Sequence, residues 1–404
     1  MSRPAGVRAA GSAIRPAAGR PPSARRVALD VLVAVDAGAR ANAVLAEALA
    51  ACALDTRDRA FVTEVVYGTC RMRRACDWLT ERYTRGRIDP EVRAALRAGA
   101  YQLAWMRVPA HAAVSATVEE VRGPGRAVVN AVLRRVADLV ASGPLHWPDL
   151  GTELSYPDWV VARLGADLGS SAARQAMATM NHPAPATTRA DGYMQDLASQ
   201  MVAAHVGVRP GERVLDVCAA PGGKATAMAT AGAGLVVAAD VAASRAALVA
   251  SNSARLGADR VMAVVADGTQ PAWRPGVFDR VLVDPPCSGL GVLRRRPDAR
   301  WRVQPGDVAR LAGLQRRLLG AAADDVRPWG VLVYSVCTLT REETAGVDRW
   351  LAGARPDLVP LAPPGDPWQH AGRGALLLPQ AAGTDGMFVL ALRRRDGPCP
   401  RTEP

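Results

Sequence analysis

Residues 278–291 read FDRVLVDPPCSGLG, and this stretch decides the fold. The run 281–283 is apolar without alternation, which is typical of a strand buried on both faces of a parallel sheet. An acid, two prolines and a thiol follow directly, at the strand end where such sheets bind ligands. Proline fixes φ and lacks an N–H donor, so Asp284 and Cys287 lie on a stiff turn. A lone cysteine is more often a small apolar residue than a reactive one, so the neighbouring segments must decide.

Strand and helix patterns alternate through the C-terminal half of the chain. Apolar runs predict five strands, at 213–218, 235–239, 261–265, 278–283 and 331–336. Helical periodicity predicts helices at 224–231, 244–256 and 307–326, and two apolar stretches at 374–379 and 386–392 predict a terminal hairpin. This alternation predicts an α/β fold with a doubly wound, mostly parallel sheet.

The turn after the first strand, in RVLDVCAAPGGKA, is a candidate cofactor loop. Its small residues let backbone N–H groups approach a ligand, but the spacing is neither GxGxxG nor GxxxxGK[ST]. The next three strands are each followed or closed by an acid: Asp240, Asp267 and Asp284. One such acid is most often a cap or turn residue, whereas three beside a glycine loop indicate a nucleoside pocket. Without a phosphate-loop motif, the pattern favours S-adenosylmethionine over ATP.

A second thiol belongs to the same predicted sheet edge. The last strand, GVLVYSVCTL, ends at Cys337, next to the predicted position of Cys287. Two adjacent strand-end thiols in a reducing compartment predict nucleophilic catalysis rather than a disulfide.

Lys224 is the single lysine among 50 basic residues, the other 49 being arginine. Chance is one explanation. The other is a task that a guanidinium cannot perform, because the two cations differ in shape, donor geometry and pKa. Such a task includes lowering the pKa of a nearby thiol.

The N-terminal half is helical in pattern from residue 23 to 139, which predicts an all-α bundle of six or seven helices. The domain boundaries that we predict are a basic tail at 1–22, the helical domain at 23–142, a linker with short helices at 143–190, an α/β domain at 191–396 and a tail at 397–404.

The net charge is +12, and the first 26 residues carry six arginines and no acid. A second basic cluster, with a tryptophan inside it, contains Arg294, Arg295, Arg296, Arg300 and Arg302 and is a candidate nucleic-acid surface.

Seven scattered cysteines, without a CxxC pair or a histidine at ligand spacing, argue against a structural metal and for the reduced cytoplasm. No apolar run reaches membrane-spanning length, so we expect no membrane association. We expect a monomer.

Four ordered motifs, DVCAAPGGKA, DPPCSGLGVLRRRPDARW, YSVCTLTREE and DGMFVLAL, together resemble the Sun (Fmu) family of RNA 5-methylcytosine methyltransferases. The segments LDTRDRAFVTEVVYGTCRMRRACDW and LRAGAYQLAWMRVPAHAAVSATVEEV resemble the NusB-like RNA-binding domain that precedes the catalytic domain in ribosomal RNA members of that family. The resemblance implies methyl transfer from S-adenosylmethionine to carbon 5 of a cytosine in small-subunit ribosomal RNA. It implies that Cys337 is the nucleophile, that Cys287 assists product release, and that Lys224 and Asp284 take part in catalysis. The implied cofactor-binding residues are Cys218, Ala219, Ala220, Pro221, Gly222, Gly223, Lys224, Asp240, Asp267 and Asp284.

Two features depart from that family. The thiol motif reads SVCT instead of STCS, and an RNA-contacting subdomain that the family carries between the equivalents of Thr188 and Asp191 is absent from this sequence. Two alternatives stay open. One is methylation of another RNA or of a DNA cytosine, with Cys287 as the nucleophile in the DNA case, and the other is an RNA-binding scaffold without catalysis.

Overall fold

The computed structural model describes residues 22–106 and 108–395. These residues form two compact units. The first runs as far as Ser155 and includes Arg296–Asp298, and the second comprises Tyr156–Arg295 and the chain from Ala299 onward. The predicted tails lie outside the described residues, except for Pro22.

The first unit is all-α, as the sequence predicts. Eight helices lie in its described residues: α1 (Ala24–Asp36), α2 (Ala41–Ala51), α3 (Thr56–Arg71), α4 (Arg73–Glu81), α5 (Pro90–Trp105), α6 (Ala110–Glu120), α7 (Gly125–Ala141) and the single turn α8 (Leu150–Glu153). Asp55 caps α3, because its side chain accepts a hydrogen bond from the backbone N–H of Asp58 at 2.7 Å. The apolar faces of α3, α4, α5 and α7 meet in one core around Val62, Leu79 and Leu133, all fully buried.

Three helices open the second unit: α9 (Asp158–Leu168), α10 (Ser170–Thr179) and α11 (Leu197–His205). Between α10 and α11 the chain reverses in a tight turn, which we call the 187–195 hairpin. Thr188 pairs with Met194 across it, and the Arg189 N–H donates to the Tyr193 carbonyl oxygen at 2.9 Å. The hairpin stands where the resemblance leads one to expect a further subdomain.

The sheet of the second unit has nine strands within the described residues: β1 (Arg213–Asp216), β2 (Leu235–Asp240), β3 (Val261–Val265), β4 (Phe278–Val283), β5 (Val326–Val336), β6 (Leu358–Pro360), β7 (Gln369–Ala371), β8 (Gly374–Leu377) and β9 (Met387–Arg394). The helices that accompany it are α12 (Gly223–Thr230), α13 (Ala243–Arg255), α14 (Ala299–Arg302), α15 (Pro305–Asp325), α16 (Ala345–Ala354) and α17 (Pro379–Ala382). The strand order is β3-β2-β1-β4-β5-β9-β8-β7, with β6 also paired to β9. The first five strands of this order, β3, β2, β1, β4 and β5, are parallel to one another. Strand β9 is antiparallel to β5 and to β8. The doubly wound sheet and the terminal hairpin are thus confirmed.

Burial on both faces explains the unalternating sequence of β4. Val281 and Val283 face a core formed with α15 and α16, and Leu282 faces the opposite core formed with α11, α12 and α13. All three are fully buried. The strand order reverses direction between β1 and β4, and the carboxyl ends of strands at such a point border a ligand crevice. Among the described residues, no helix is both long and apolar enough to cross a membrane.

Candidate active site and cofactor site

The two predicted thiols meet at the carboxyl edge of the sheet. Cys337 directly follows β5, Cys287 lies on the turn after β4, and their Sγ atoms are 3.2 Å apart. The backbone joins the same turns, because the Gly291 N–H donates to the Cys337 carbonyl oxygen at 3.0 Å. Residue 291 must be glycine, since a Cβ there would lie 2.3 Å from the carbonyl oxygen of Gly386.

Lys224 lies at this edge as well and binds Asp284. Its Nζ donates to Asp284 Oδ2 at 2.6 Å, and the Ser335 hydroxyl donates to Asp284 Oδ1 at 3.0 Å. Burial alone would lower the pKa of Lys224, but the Asp284 carboxylate more than offsets it, with smaller contributions from Asp216 and Cys337, so the pKa is raised. The structure therefore places the ammonium group of Lys224 in the neighbourhood of Cys337.

Asp216, the last residue of β1, is a site residue that the sequence analysis missed. It is 1% exposed, and its Oδ1 has no hydrogen-bond partner. Burial and, to a smaller extent, the Asp284 carboxylate raise its pKa to about 7, and the opposing effect of Lys224 offsets only part of this rise. The predicted strand extends to Cys218, so Asp216 was placed inside the strand. In the structure Asp216 is the last residue of β1, just as Asp240 is the last residue of β2.

The cofactor loop ends at the start of α12. Gly222 has φ +102°, a left-handed conformation that favours glycine, and no side chain caps the helix. The N–H groups of the first turn are therefore available to an anionic group, which the helix dipole also favours. Asp240 is buried at the end of β2, accepting from the Ala242 N–H at 3.2 Å and from Arg245 Nε at 2.9 Å, and a carboxylate has capacity for further hydroxyl donors.

These residues fit S-adenosylmethionine. The helix start suits its carboxylate, the open Oδ1 of Asp216 suits its ammonium group, and Asp240 suits its ribose hydroxyls. Burial raises the pKa of the Cys218 thiol, so this loop cysteine stays neutral. Asp267 differs from Asp240 in being exposed. Its Oδ1 accepts from the backbone N–H and the hydroxyl of Thr269, which lowers its pKa.

The 187–195 hairpin packs on the same loop. Arg189 donates to the carbonyl oxygen of Gly223 and, at 3.1 Å, to the Thr226 hydroxyl. A Cβ at Gly223 would lie 2.8 Å from the Tyr193 ring and 3.1 Å from the Gln195 amide nitrogen. The hairpin thus supports the start of α12 directly, a role that nothing in the local sequence pattern signals.

The basic cluster differs from the sequence expectation, because three of its five arginines are used inside the second unit. Arg294 donates to the carbonyl oxygens of Pro183 and Gly383, and Arg295 binds the carboxylates of Asp196 and Asp385. Arg300 is fully buried, with its guanidinium 3.9 Å from the Tyr156 ring centroid. The interpretation of these three as a nucleic-acid surface is therefore wrong, and only Arg296 and Arg302 of the cluster are exposed.

All six cysteines in the described part of the chain are free thiols. The same part contains no group of three or more histidine, cysteine or acidic residues placed to hold a metal ion.

Comparisons with known proteins agree with this architecture. Residues 203–393 match the family described as 16S rRNA methyltransferase RsmB/F, and residues 22–138 match the NusB family. The ribosomal RNA small subunit methyltransferase B of Thermus thermophilus is 38% identical over 406 positions, covering 92% of this chain and 97% of that relative. A putative methyltransferase of Mycobacterium tuberculosis is 37% identical over 450 positions, covering 92% of this chain and 96% of that relative.

A solved structure, that of PH0851, has a TM-score of 0.76 at 21% identity, covering 93% of this chain and 99% of that one. It shows that the two chains share a fold. The identity to the Thermus thermophilus relative over most of both chains shows that this chain belongs to the RsmB/F family of 16S rRNA methyltransferases.

Proposed function

We propose that this protein transfers a methyl group from S-adenosylmethionine to carbon 5 of a cytosine in 16S ribosomal RNA, through a covalent bond between Cys337 and the cytosine. The observation that carries the proposal is the pair of thiols 3.2 Å apart beside the Lys224–Asp284 ion pair. The RNA substrate is supported by the family description and by the name of the Thermus thermophilus relative.

The chemistry of cytosine explains the need for two thiols. Carbon 5 is a poor nucleophile until a thiolate adds to carbon 6 and makes an enamine, so Cys337 Sγ would form the bond to carbon 6. When bound, S-adenosylmethionine supplies the electrophilic methyl group. The proton on carbon 5 must then pass to a base as the bond between sulfur and carbon 6 breaks and the Cys337 sulfur leaves as a thiolate, and Cys287 lies next to Cys337 to assist this release.

Electrostatics supports this division of roles. The hydrogen bond with Cys337 and burial raise the pKa of the Cys287 thiol well above its usual value, and the Glu343 and Asp284 carboxylates raise it further. Cys337 instead contributes to the raised pKa of Lys224, so it has a cation for a neighbour. The raised pKa keeps Cys287 neutral while the Cys337 sulfur adds to carbon 6.

Free thiols at all described cysteines support a reducing compartment, so we place the reaction in the cytoplasm. We propose a monomer, with ribosomal RNA as its partner.

Single cysteine substitutions test the mechanism. Cys337→Ala should abolish methylation without forming an RNA adduct, whereas Cys287→Ala should accumulate a denaturation-resistant complex of protein and RNA. Cys76→Ala, which removes a buried cysteine of α4, is the control and should behave like the parent. An adduct with Cys337→Ala would reverse the roles and favour the assignment found in DNA cytosine enzymes.

Two further measurements separate the alternatives. Calorimetry with S-adenosylmethionine distinguishes an enzyme from a scaffold without catalysis, because a scaffold that has lost the reaction need not bind the cofactor. Bisulfite sequencing of 16S ribosomal RNA from a deletion strain and its parent identifies the cytosine. No difference between the two strains would refute the substrate assignment.

A further inference from the structure

A buried carboxylate, that of Glu343, lies beneath both thiol turns. It is fully buried, and its Oε1 accepts from the backbone N–H of Ser288 at 2.9 Å and from Gln315 Nε2 at 3.0 Å. Ser288 directly follows Cys287. The same Gln315 nitrogen also donates to the Pro286 carbonyl oxygen at 3.1 Å, so both residues that flank Cys287 are held.

The second carboxylate oxygen reaches the turn that carries Cys337. Oε2 lies 3.2 Å from the Thr338 hydroxyl and 2.9 Å from the Thr340 hydroxyl, and it accepts from the Ser288 hydroxyl at 2.5 Å. The Ser288 and Thr338 hydroxyls are themselves 2.7 Å apart. One carboxylate therefore joins the residue after Cys287 to the residue after Cys337.

The cluster has only neutral donors. The Tyr334 hydroxyl lies 3.0 Å from Gln315 Oε1 and 2.7 Å from the Glu343 carbonyl oxygen, which closes the cluster from below. Within the described residues Glu343 forms no salt bridge, unlike Asp284 with its lysine. A buried charge without a counterion costs free energy unless every lone pair is hydrogen-bonded, so this arrangement is stable only with the full set of donors.

We propose that Glu343 is a positioning residue, whose carboxylate joins the Cys287 and Cys337 turns and so holds the two thiols at reacting distance. The methylation reaction rests on the proposed function, whereas the role of Glu343 in placing the two thiols does not. The negative charge of Glu343 also acts on the nearer thiol, because a like charge disfavours the thiolate of Cys287. Glu343 thus places the release thiol and adds to its raised pKa, after the larger effects of the hydrogen bond with Cys337 and of burial.

The test measures thiol reactivity without RNA or cofactor. Iodoacetamide alkylation of the full-length protein is followed from pH 6 to pH 11, with peptide-resolved mass spectrometry to separate the seven cysteines. Glu343→Gln removes the charge while keeping the shape, and we expect the midpoint for Cys287 to fall below that of the parent. Glu343→Asp keeps the charge and should leave that midpoint within a few tenths of the parent, although its shorter side chain loosens the turns.

Methylation is then measured on the same proteins. Glu343→Gln should lose at least about tenfold in rate. Thr340→Val removes one donor and no charge, and it should lose about threefold, the effect of a single hydrogen bond. The matched control is Asp348→Asn, which removes another buried carboxylate that binds Arg373 instead of the thiol turns. It should lower thermal stability without moving the Cys287 midpoint.

An unchanged Cys287 midpoint in Glu343→Gln, together with a methylation rate within twofold of the parent, would overturn the proposal. If Glu343→Gln does not fold, Thr340→Val decides, and full activity of that variant would count against the proposal. A parent protein that methylates no ribosomal RNA would refute the proposed function, yet the alkylation midpoints would still judge the role of Glu343.

Discussion

Removal of the Asp216 carboxyl charge should change how stability depends on pH. The pKa of this buried carboxyl is about 7 in the folded protein, against 3.8 for an ordinary aspartate. Between these two values the folded state holds a proton that the unfolded state has released, so stability falls as pH rises through this window and is level above it. The full difference corresponds to about 4 kcal/mol, of which about 3 kcal/mol lies between pH 5 and pH 8.

Asp216→Asn carries no titrating group and should remove this part of the pH dependence. Urea denaturation at pH 5 and pH 8 gives the free energy of unfolding of each protein, and the difference between the two pH values should shrink by about 3 kcal/mol in the variant. Other buried acids titrate in the same window but are common to both proteins. As the pH rises, the free energy of unfolding of the variant should therefore increase relative to that of the parent.

Asp267→Asn is the matched control, because Asp267 also follows a strand of the sheet but is exposed. Its lowered pKa gives a stability contribution that is present above the ordinary value near 3.8 and is lost only at lower pH, so pH 5 and pH 8 should not differ. An equal effect of Asp216→Asn at both pH values would refute the assignment of a proton to Asp216 near neutrality.

Three further predictions concern activity and binding. Lys224→Arg should lower the methylation rate at least about tenfold, or roughly 1.4 kcal/mol on the barrier, with little change in melting temperature, and activity within twofold of the parent would favour chance retention. Gly223→Ala should weaken S-adenosylmethionine binding in calorimetry, because the added methyl meets the Tyr193 ring at 2.8 Å, and unchanged affinity would contradict this. The double variant Arg296→Gln, Arg302→Gln should bind RNA more weakly, and the slope of log affinity against log salt concentration should fall by up to about 0.7 per residue. The control Arg300→Gln should lower stability instead. An unchanged slope in the double variant would show that Arg296 and Arg302 do not contact RNA.

The strands of the α/β domain could be predicted because their position in the sheet is reflected in their own sequence. Burial on both faces demands an unbroken apolar run, and the predicted and observed bounds coincide for β3 and β4. The acid and thiols at the strand ends were equally visible, because parallel strands bring their carboxyl ends to one edge. β5 begins five residues earlier than predicted, at Val326, since its first part contains a proline and a residue with positive φ, Trp329.

Two other features of the site were hidden for one physical reason, which is that the partners of the polar side chains are remote in sequence. Arg294 and Arg295 look like a solvated basic run, yet their partners lie about ninety or more positions away. Glu343 reads as a surface acid in TREE, yet its donors come from three separate segments of the chain. Local pattern cannot reveal such contacts, because charge and periodicity describe only a residue and its near neighbours.

The 187–195 hairpin makes this part of the fold modular. The Gln195 N–H donates to the Thr187 carbonyl oxygen at 3.0 Å, and the Thr187 hydroxyl donates to the Gln195 carbonyl oxygen at 2.7 Å, so the chain leaves and re-enters at one point. Lengthening a loop between fixed ends costs only about 0.6 kcal/mol per doubling of its length. A folded module with neighbouring termini can therefore be gained or lost at Ala190 during evolution without altering the cofactor loop. The same junction is a natural place to graft a foreign RNA-binding module and redirect the enzyme to a new substrate.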